Sequence, residues 1–407
     1  MAWSDGPKRN RRAAACTVGV AAAALLVACE PAPPRPVLVV HTAVDGPDAV
    51  PGDGVCEITA GSGDCSLRAA VDEANAVAGA AIVRLVADPV LSVAGREEDA
   101  NAAGDIDVSD TLELQGDGHT IDAAGLDRVL DIRAGTVISG VTITGGAGVS
   151  DGAGIRQTEA SLVAIHTTVR DNAAVTFGGG IAFSGVEMAL DSSTISSNRT
   201  GELADPLGNQ GGGIYVGRGR VRIVNSTMSG NRAGAGGAVA TAFPFFEDIA
   251  AHVSIAGSTI VDNTGDQNQP GCFDVGCGAV NNPPDWTYCS FAGCETYRSG
   301  EIELQGTALS NPGANCYGGT SLGHNVARTA NGCLGAATDL VGVDLALGPL
   351  ADNGGGGLTH LPALGSPLID AVPPGTPGLC DGSVPTDQRG VPRPTGSGCD
   401  IGAVEVQ

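Results

Sequence analysis

Apolar residues in this chain come in short alternating runs that break at glycine. Leu112 and Leu114, then Val137, Val141 and Ile143, are spaced to face one side of short strands over a shared core. After residue 140 the pattern becomes a repeat. Thr167-Thr168-Val169-Arg170-Asp171-Asn172 returns as Ser193-Thr194-Ile195-Ser196-Ser197-Asn198, Ser226-Thr227-Met228-Ser229-Gly230-Asn231 and Ser258-Thr259-Ile260-Val261-Asp262-Asn263. The closing asparagines step by 26, 33 and 32 residues. A period of this size predicts a solenoid of stacked coils. Glycine clusters at 178–180, 211–213 and 236–237 suit places where coils turn sharply and backbones approach. Parallel strands joined by crossovers wind right-handed. The predicted fold class is therefore all-β: a single-stranded right-handed parallel β-helix over 105–345. Asparagines at one place in successive coils can bond one another along the axis, a structural role rather than a catalytic one.

One segment has a helical period instead. Leu67, Ala70, Val71 and Ala74 form an apolar stripe, with Ser66 as N-cap. It follows an apolar run over 37–45 that reads as a first strand. A short capping α-helix here would close the open end of the coil stack, within an N-terminal cap of 37–104.

The first 28 residues read as a targeting segment. Lys8, Arg9, Arg11 and Arg12 precede an apolar stretch, 13–27, too short for a confident membrane span. Leu26-Val27-Ala28-Cys29 has the form of a lipobox, which would make Cys29 the lipidated mature N-terminus; an ordinary signal peptide cut near Ala28 is the alternative. The proline-rich 29–36 then forms an extended tether. The expected location is the cell envelope or the outside of the cell.

Charge and cysteine narrow the chemistry. The net charge is −24, and about −27 without residues 1–28, so bare nucleic acid and anionic membrane surfaces are poor partners; membrane contact is expected through the lipid alone. Lys8 is the only lysine, which removes lysine bases and Schiff bases from the mature chain. Ten cysteines remain after Cys16 and Cys29. They fall in close pairs, Cys56/Cys65, Cys272/Cys277, Cys289/Cys294, Cys316/Cys333 and Cys380/Cys399, and predict local disulfides in an exported protein. Connectivity among Cys272, Cys277, Cys289 and Cys294 stays open, and a zinc site there is the alternative.

Cys65-Ser66-Leu67-Arg68-Ala69-Ala70 resembles the Cys-Ser-Leu-Arg-Glu-Ala domain that begins certain bacterial surface β-helix proteins, with Ala69 in place of glutamate. Gly116-Asp117-Gly118-His119-Thr120-Ile121-Asp122 is similar to their opening coils. Leu350-Ala351-Asp352-Asn353-Gly354-Gly355, Gly365-Ser366-Pro367-Leu368-Ile369-Asp370-Ala371, Asp387-Gln388-Arg389-Gly390-Val391-Pro392-Arg393-Pro394 and Cys399-Asp400-Ile401-Gly402-Ala403-Val404-Glu405 resemble their closing module, of the choice-of-anchor Q type, over 346–407. The resemblance implies a pectin-lyase-like solenoid with polymorphic-outer-membrane-protein-like repeats, held at a bacterial surface. It implies little about activity.

Catalytic motifs are few. Gly323-His324-Asn325 superficially matches a histidine motif of β-helix galacturonases but lacks the paired aspartates. Asp171, Asp191 and Asp262 are coil carboxylates of the kind a glycosidase would need, yet Asp171 and Asp262 occupy turn positions. No carboxylate pair or arginine–carboxylate set stands out at matching coil positions. Arg218, Arg220 and Arg222 alternate with Val221 and Ile223, which predicts three arginines on one outer strand face, able to grip uronate or another anion. The region 241–300 interrupts the rhythm and holds Phe243, Phe245, Phe246, Phe273, Trp286, Tyr288, Phe291 and Tyr297. Trp286, Tyr288, Phe291 and Tyr297 are candidate contacts to sugar rings or partner side chains. No cofactor is expected; the aspartates could hold calcium, but neither an EF-hand nor a nonapeptide repeat is present. The expected function is a non-catalytic envelope protein binding glycans or a protein partner, with a polysaccharide lyase or glycoside hydrolase as the alternative.

Overall fold

Short strands stack coil upon coil into parallel sheets, because a strand of two to six residues satisfies its backbone only through the coils beside it. The computed structural model of the protein describes residues 35–96, 98–201, 209–242, 251–265, 300–312, 315–329 and 332–406, Tyr317 as backbone only. It also describes the backbone of 14–21, 24–31, 280–281, 286–290 and 293–297. Ala14–Ala21 pairs antiparallel with Ala24–Pro31 in a unit of Met1–Pro36, apart from the unit Val37–Gln407.

Among the described residues three parallel sheets of ten, nine and eight strands run along the stack. The ten-stranded sheet begins at Val37–Val40 and ends at Thr320–Gly323. Neighbouring coils pair in register, so inward side chains form columns: Leu130, Ile155, Ile181, Ile214 and Val239 in one, Ile143, Val169, Ile195, Met228 and Ile260 in another. All are essentially buried. Val137 departs from the expected phase. It faces out at 37 % exposure, while Thr136 and Ile138 on either side point in.

The asparagine ladder forms and runs further than the repeats. Asn172, Asn198 and Asn231 each donate Nδ2 to the Oδ1 of the next asparagine, at 2.8–3.0 Å, and Asn263 passes the chain to Asn311 and Asn315. Each Oδ1 also accepts the backbone N–H of the preceding asparagine. A second ladder uses hydroxyls. The amides of Thr167, Ser193 and Ser226 donate to Ser193, Ser226 and Ser258 Oγ. The residue before each of the four repeat asparagines is left-handed: Asp171 (φ 57°), Ser197 (55°), Gly230 (66°) and Asp262 (58°). Asp171 and Asp262 are therefore corner residues, as is His324 (φ 57°), whereas Asp191 lies at the outer end of a strand. Gly179 shows why the clusters are glycine: a Cβ there would lie 2.3 Å from the Arg199 carbonyl.

The helix Leu67–Ala76 packs on the first strands, with Ser66 Oγ accepting from Ala69 N at 3.0 Å. At the other end, residues beyond 345 fold back along the nine-stranded sheet. The repeated threonine, outward-facing in each coil, is what they dock on. Gln388 bridges Thr194 and Thr227 (2.9 and 2.6 Å), and Thr259 Oγ1 accepts from Ala403 N. His360 donates Nδ1 to the Gly348 carbonyl and accepts Ser229 Oγ at Nε2, 2.9 Å. Three disulfides, Cys56–Cys65, Cys316–Cys333 and Cys380–Cys399, match the expected local pairs and suit an oxidising compartment outside the cytoplasm. Cys272 and Cys277 lie outside the described residues; Cys289 and Cys294 face each other across the antiparallel pair 286–290/293–297, whose side chains are not described.

Replacing Asn231 with alanine removes the acceptor of the Asn198 N–H and one of its two Nδ2 bonds in a fully buried corner. The expected loss is about 3 kcal/mol, read as a lower urea midpoint. Burial holds the His360 pKa down, outweighing the Gly348 carbonyl and Asp262. The unfolded chain therefore protonates first, and this group's contribution is intact above about pH 6.5 and falls below it. The stability difference between wild type and His360→Gln should narrow as pH drops from about 7 to about 5 in thermal melts.

Candidate functional site

The helix Leu67–Ala76 and the first coils build an ionic site on the outer face of the eight-stranded sheet. Arg68, fully buried on the helix Leu67–Ala76, clamps Asp45 with two bonds (2.8 and 3.1 Å) and donates to the carbonyls of Asn101, Gly104 and Asp105. Burial pushes Asp45 up, but the Arg68 bonds and the amides of Val93 and Ser92 hold it below the usual range. The loop so fixed places Asn101 in the left-handed region (φ 57°). There its N–H donates to Asp107 Oδ2 (2.9 Å) and its Oδ1 accepts from Asp107 N.

Asp107, Asp131 and Arg156 stand in one outward column on three successive coils. Arg156 grips Asp131 through Nε and Nη2 (2.9 and 2.6 Å), and Arg133 Nη2 joins at 2.9 Å. Arg133 Nη2 also contacts Asp99 and lies 3.8 Å from Asp107 Oδ1. Asp99, Asp107 and Asp131 each bring an oxygen within 4.8 Å of the others. Behind them, buried Arg128 pairs with Asp105 at 2.8 Å.

Environment splits these carboxyls. Burial pushes Asp107 up to about 7; the Asn101 amide opposes this, and Asp105, Asp131 and Glu98 add to it. Burial likewise carries Asp105 to about 6 against the pull of Arg128. Asp131 is as deeply buried, yet Arg156, Arg128 and Arg133 outweigh the desolvation and keep it below its ordinary value. A carboxyl that titrates near neutrality thus adjoins one that stays ionised. This in-register carboxylate pair with its arginines corrects the expectation that no such set exists. Further along the same column Tyr215 stacks on Phe177, ring centroids 4.5 Å apart.

A second feature lies on the ten-stranded sheet. A groove of about 660 Å³ is lined by Glu159, Gly185, Val186, Arg218, Gly219, Arg220 and His252. Arg220 and Arg222 point outward and exposed from the strand Gly219–Val224, and neither has an ion-pair partner among the described residues. Arg218 does not share their strand. Gly219 turns the chain (φ 87°), and Arg218 donates to the carbonyls of Ser184 (2.6 Å) and Thr158 (3.2 Å) on earlier coils. His252, next to Arg220 in register, bonds Glu301 at 3.2 Å.

Trp286, Tyr288 and Tyr297 fall on the strands Trp286–Ser290 and Gly293–Tyr297, described as backbone only, and Phe291 lies outside the described residues. Cys29 is likewise described only as backbone. Among the described residues no helix is long and apolar enough to cross a membrane. No family model, curated protein or solved structure matches the chain.

Asp107 is protonated more readily folded than unfolded, so its contribution worsens as pH rises through about 4 to 7. Asp107→Asn should be more stable than wild type by about 2 kcal/mol at pH 8 in chelator-treated buffer, and level with it near pH 4, in denaturant melts.

Proposed function

We propose that this chain is an exported, lipid-anchored right-handed parallel β-helix of the bacterial surface type, which binds anionic glycans along its ten-stranded sheet. The observation that carries this is the groove beside Arg218, Arg220 and His252. Arg220 and Arg222 are exposed and form no ion pair among the described residues, in a chain of net charge −24. Long-range repulsion from the rest of the surface makes such a spot selective: a polyanion gains there only by direct guanidinium contact, bidentate on uronate carboxylates. Gly185 and Gly219 in the groove lining let backbones approach closely, a Cβ at either lying 2.2 or 2.4 Å from a neighbouring carbonyl oxygen.

A second reading, a carbohydrate-active enzyme, is favoured by Asp107 and Asp131 alone. Their side chains are 4 % and 1 % exposed beneath Arg133 and Arg156, and Arg220 is not among their partners. Binding without turnover follows more directly from that burial.

Arg220→Glu combined with Arg222→Glu should weaken binding of an immobilised polyuronate by at least about tenfold, and wild-type binding should fall with added salt. Unchanged binding in the double variant would remove the groove from the account. New reducing ends or unsaturated products in the same incubations would favour the enzyme.

A further inference from the structure

The three carboxylates on the cap-side coils converge on one point, and a guanidinium nitrogen now sits there. Arg133 Nη2 contacts Asp99 Oδ1, bonds Asp131 Oδ2 at 2.9 Å and lies 3.8 Å from Asp107 Oδ1. Arg133 spends its side chain on these three groups and is 30 % exposed, so it can swing into water without uncovering any other pairing. Asp107 Oδ1 is different in kind. Its carboxylate is buried to within 4 % and Oδ1 has no hydrogen-bond partner, while Oδ2 is held by Asn101 N–H. A buried, unpartnered carboxylate oxygen directed at a cationic centre is costly unless a strong positive charge faces it.

We propose that Asp99, Asp107 and Asp131 form a seat for a hard divalent cation, Ca²⁺ by its chemistry, which Arg133 fills when the ion is absent. The size fits. Calcium–oxygen bonds of about 2.4 Å allow ligand oxygens up to about 4.8 Å apart, and the three oxygens all lie within 4.8 Å of one another. The donors are all carboxylate oxygens, with no sulfur or imidazole, which selects hard cations over zinc or copper. The charge fits as well. Three carboxylates against Arg133 and Arg156 leave one negative charge; a divalent ion in place of Arg133 leaves none. Arg156 keeps its two bonds to Asp131 throughout and holds that ligand in place. Asp107 and Asp131 stand on paired strands, and Asp99, 63 % exposed, is the third ligand on the solvent side of the seat. The cation would tie the loop carrying Asp99 to the first coils. This inference is independent of the anionic groove.

The test is calorimetric titration of the full chain with CaCl₂ to about 10 mM, the range of extracellular calcium modules, beside thermal melts with NaCl matched for ionic strength. Wild type should bind one equivalent and melt higher. Asp107→Asn and Asp99→Asn should each lower the affinity at least about tenfold, and Arg133→Ala should raise it by removing the competitor. Asp99→Asn changes an exposed side chain, so its loss of binding is not a folding failure. The proposal falls if wild type binds no calcium, even should Arg133→Ala bind it, or if both aspartate variants bind as wild type does.

Discussion

No coil of this protein can stand alone. Its strands are too short to pair within themselves, so among the described residues the strand amides and carbonyls pair with the coil above or below. That dependence demands a common register, and a common register puts like positions in columns. Inside, the columns are aliphatic. At one corner the column is asparagine, whose carboxamide both donates to and accepts from its neighbours, so each ladder member satisfies the next. The preceding corner residue must be left-handed, which explains Asp, Ser, Gly and Asp there without any appeal to catalysis.

The same alignment governs the outer chemistry. Strands about 4.8 Å apart force charges in one column to interact. In the column of Asp107, Asp131 and Arg156 the interaction is buried, so position alone separates two aspartates: Asp131 borders Arg156, while Asp107 does not and resists ionisation. In the column of Glu187, Arg220, His252 and Glu301 the groups meet water, and their mutual effects are screened. One face is therefore a tightly coupled ionic knot and the other an open, weakly coupled surface. Buried Arg68 and Arg128 underlie the knot, each clamping carbonyls of a loop that has no sheet of its own.

Much of the fold was legible because its signals are local or periodic. The asparagine steps, the glycine clusters and the Leu67–Ala74 stripe each specify a geometry within a few residues. Where periodicity was ambiguous the reading slipped. In Thr136-Val137-Ile138 the side chains alternate correctly but hydrophobicity does not choose the phase, and threonine took the inner position. The arginine alternation was extended one step too far, across the left-handed Gly219. The threonine of each repeat carries no short-range sign of its role, since for Thr194 and Thr227 the partner, Gln388, lies more than 160 residues away.

By itself the sequence determined the coil, because the residue that closes a corner, the glycine that lets backbones touch and the aliphatic that fills a column are each demanded by the next turn of the same chain. Only the tertiary structure decided the ionic site. Asp99 and Arg133 belong to no repeated unit, the repeating outward position carries aspartate, arginine, alanine and tyrosine in turn, and nothing short-range links Asp107 to Asp131. They meet because coil length sets which residues share a column, and because buried Arg68 on the helix Leu67–Ala76 pins the loop that completes them. Coil length is a property of the wound chain rather than of any local motif, so the charges it brings together are invisible until the winding is known.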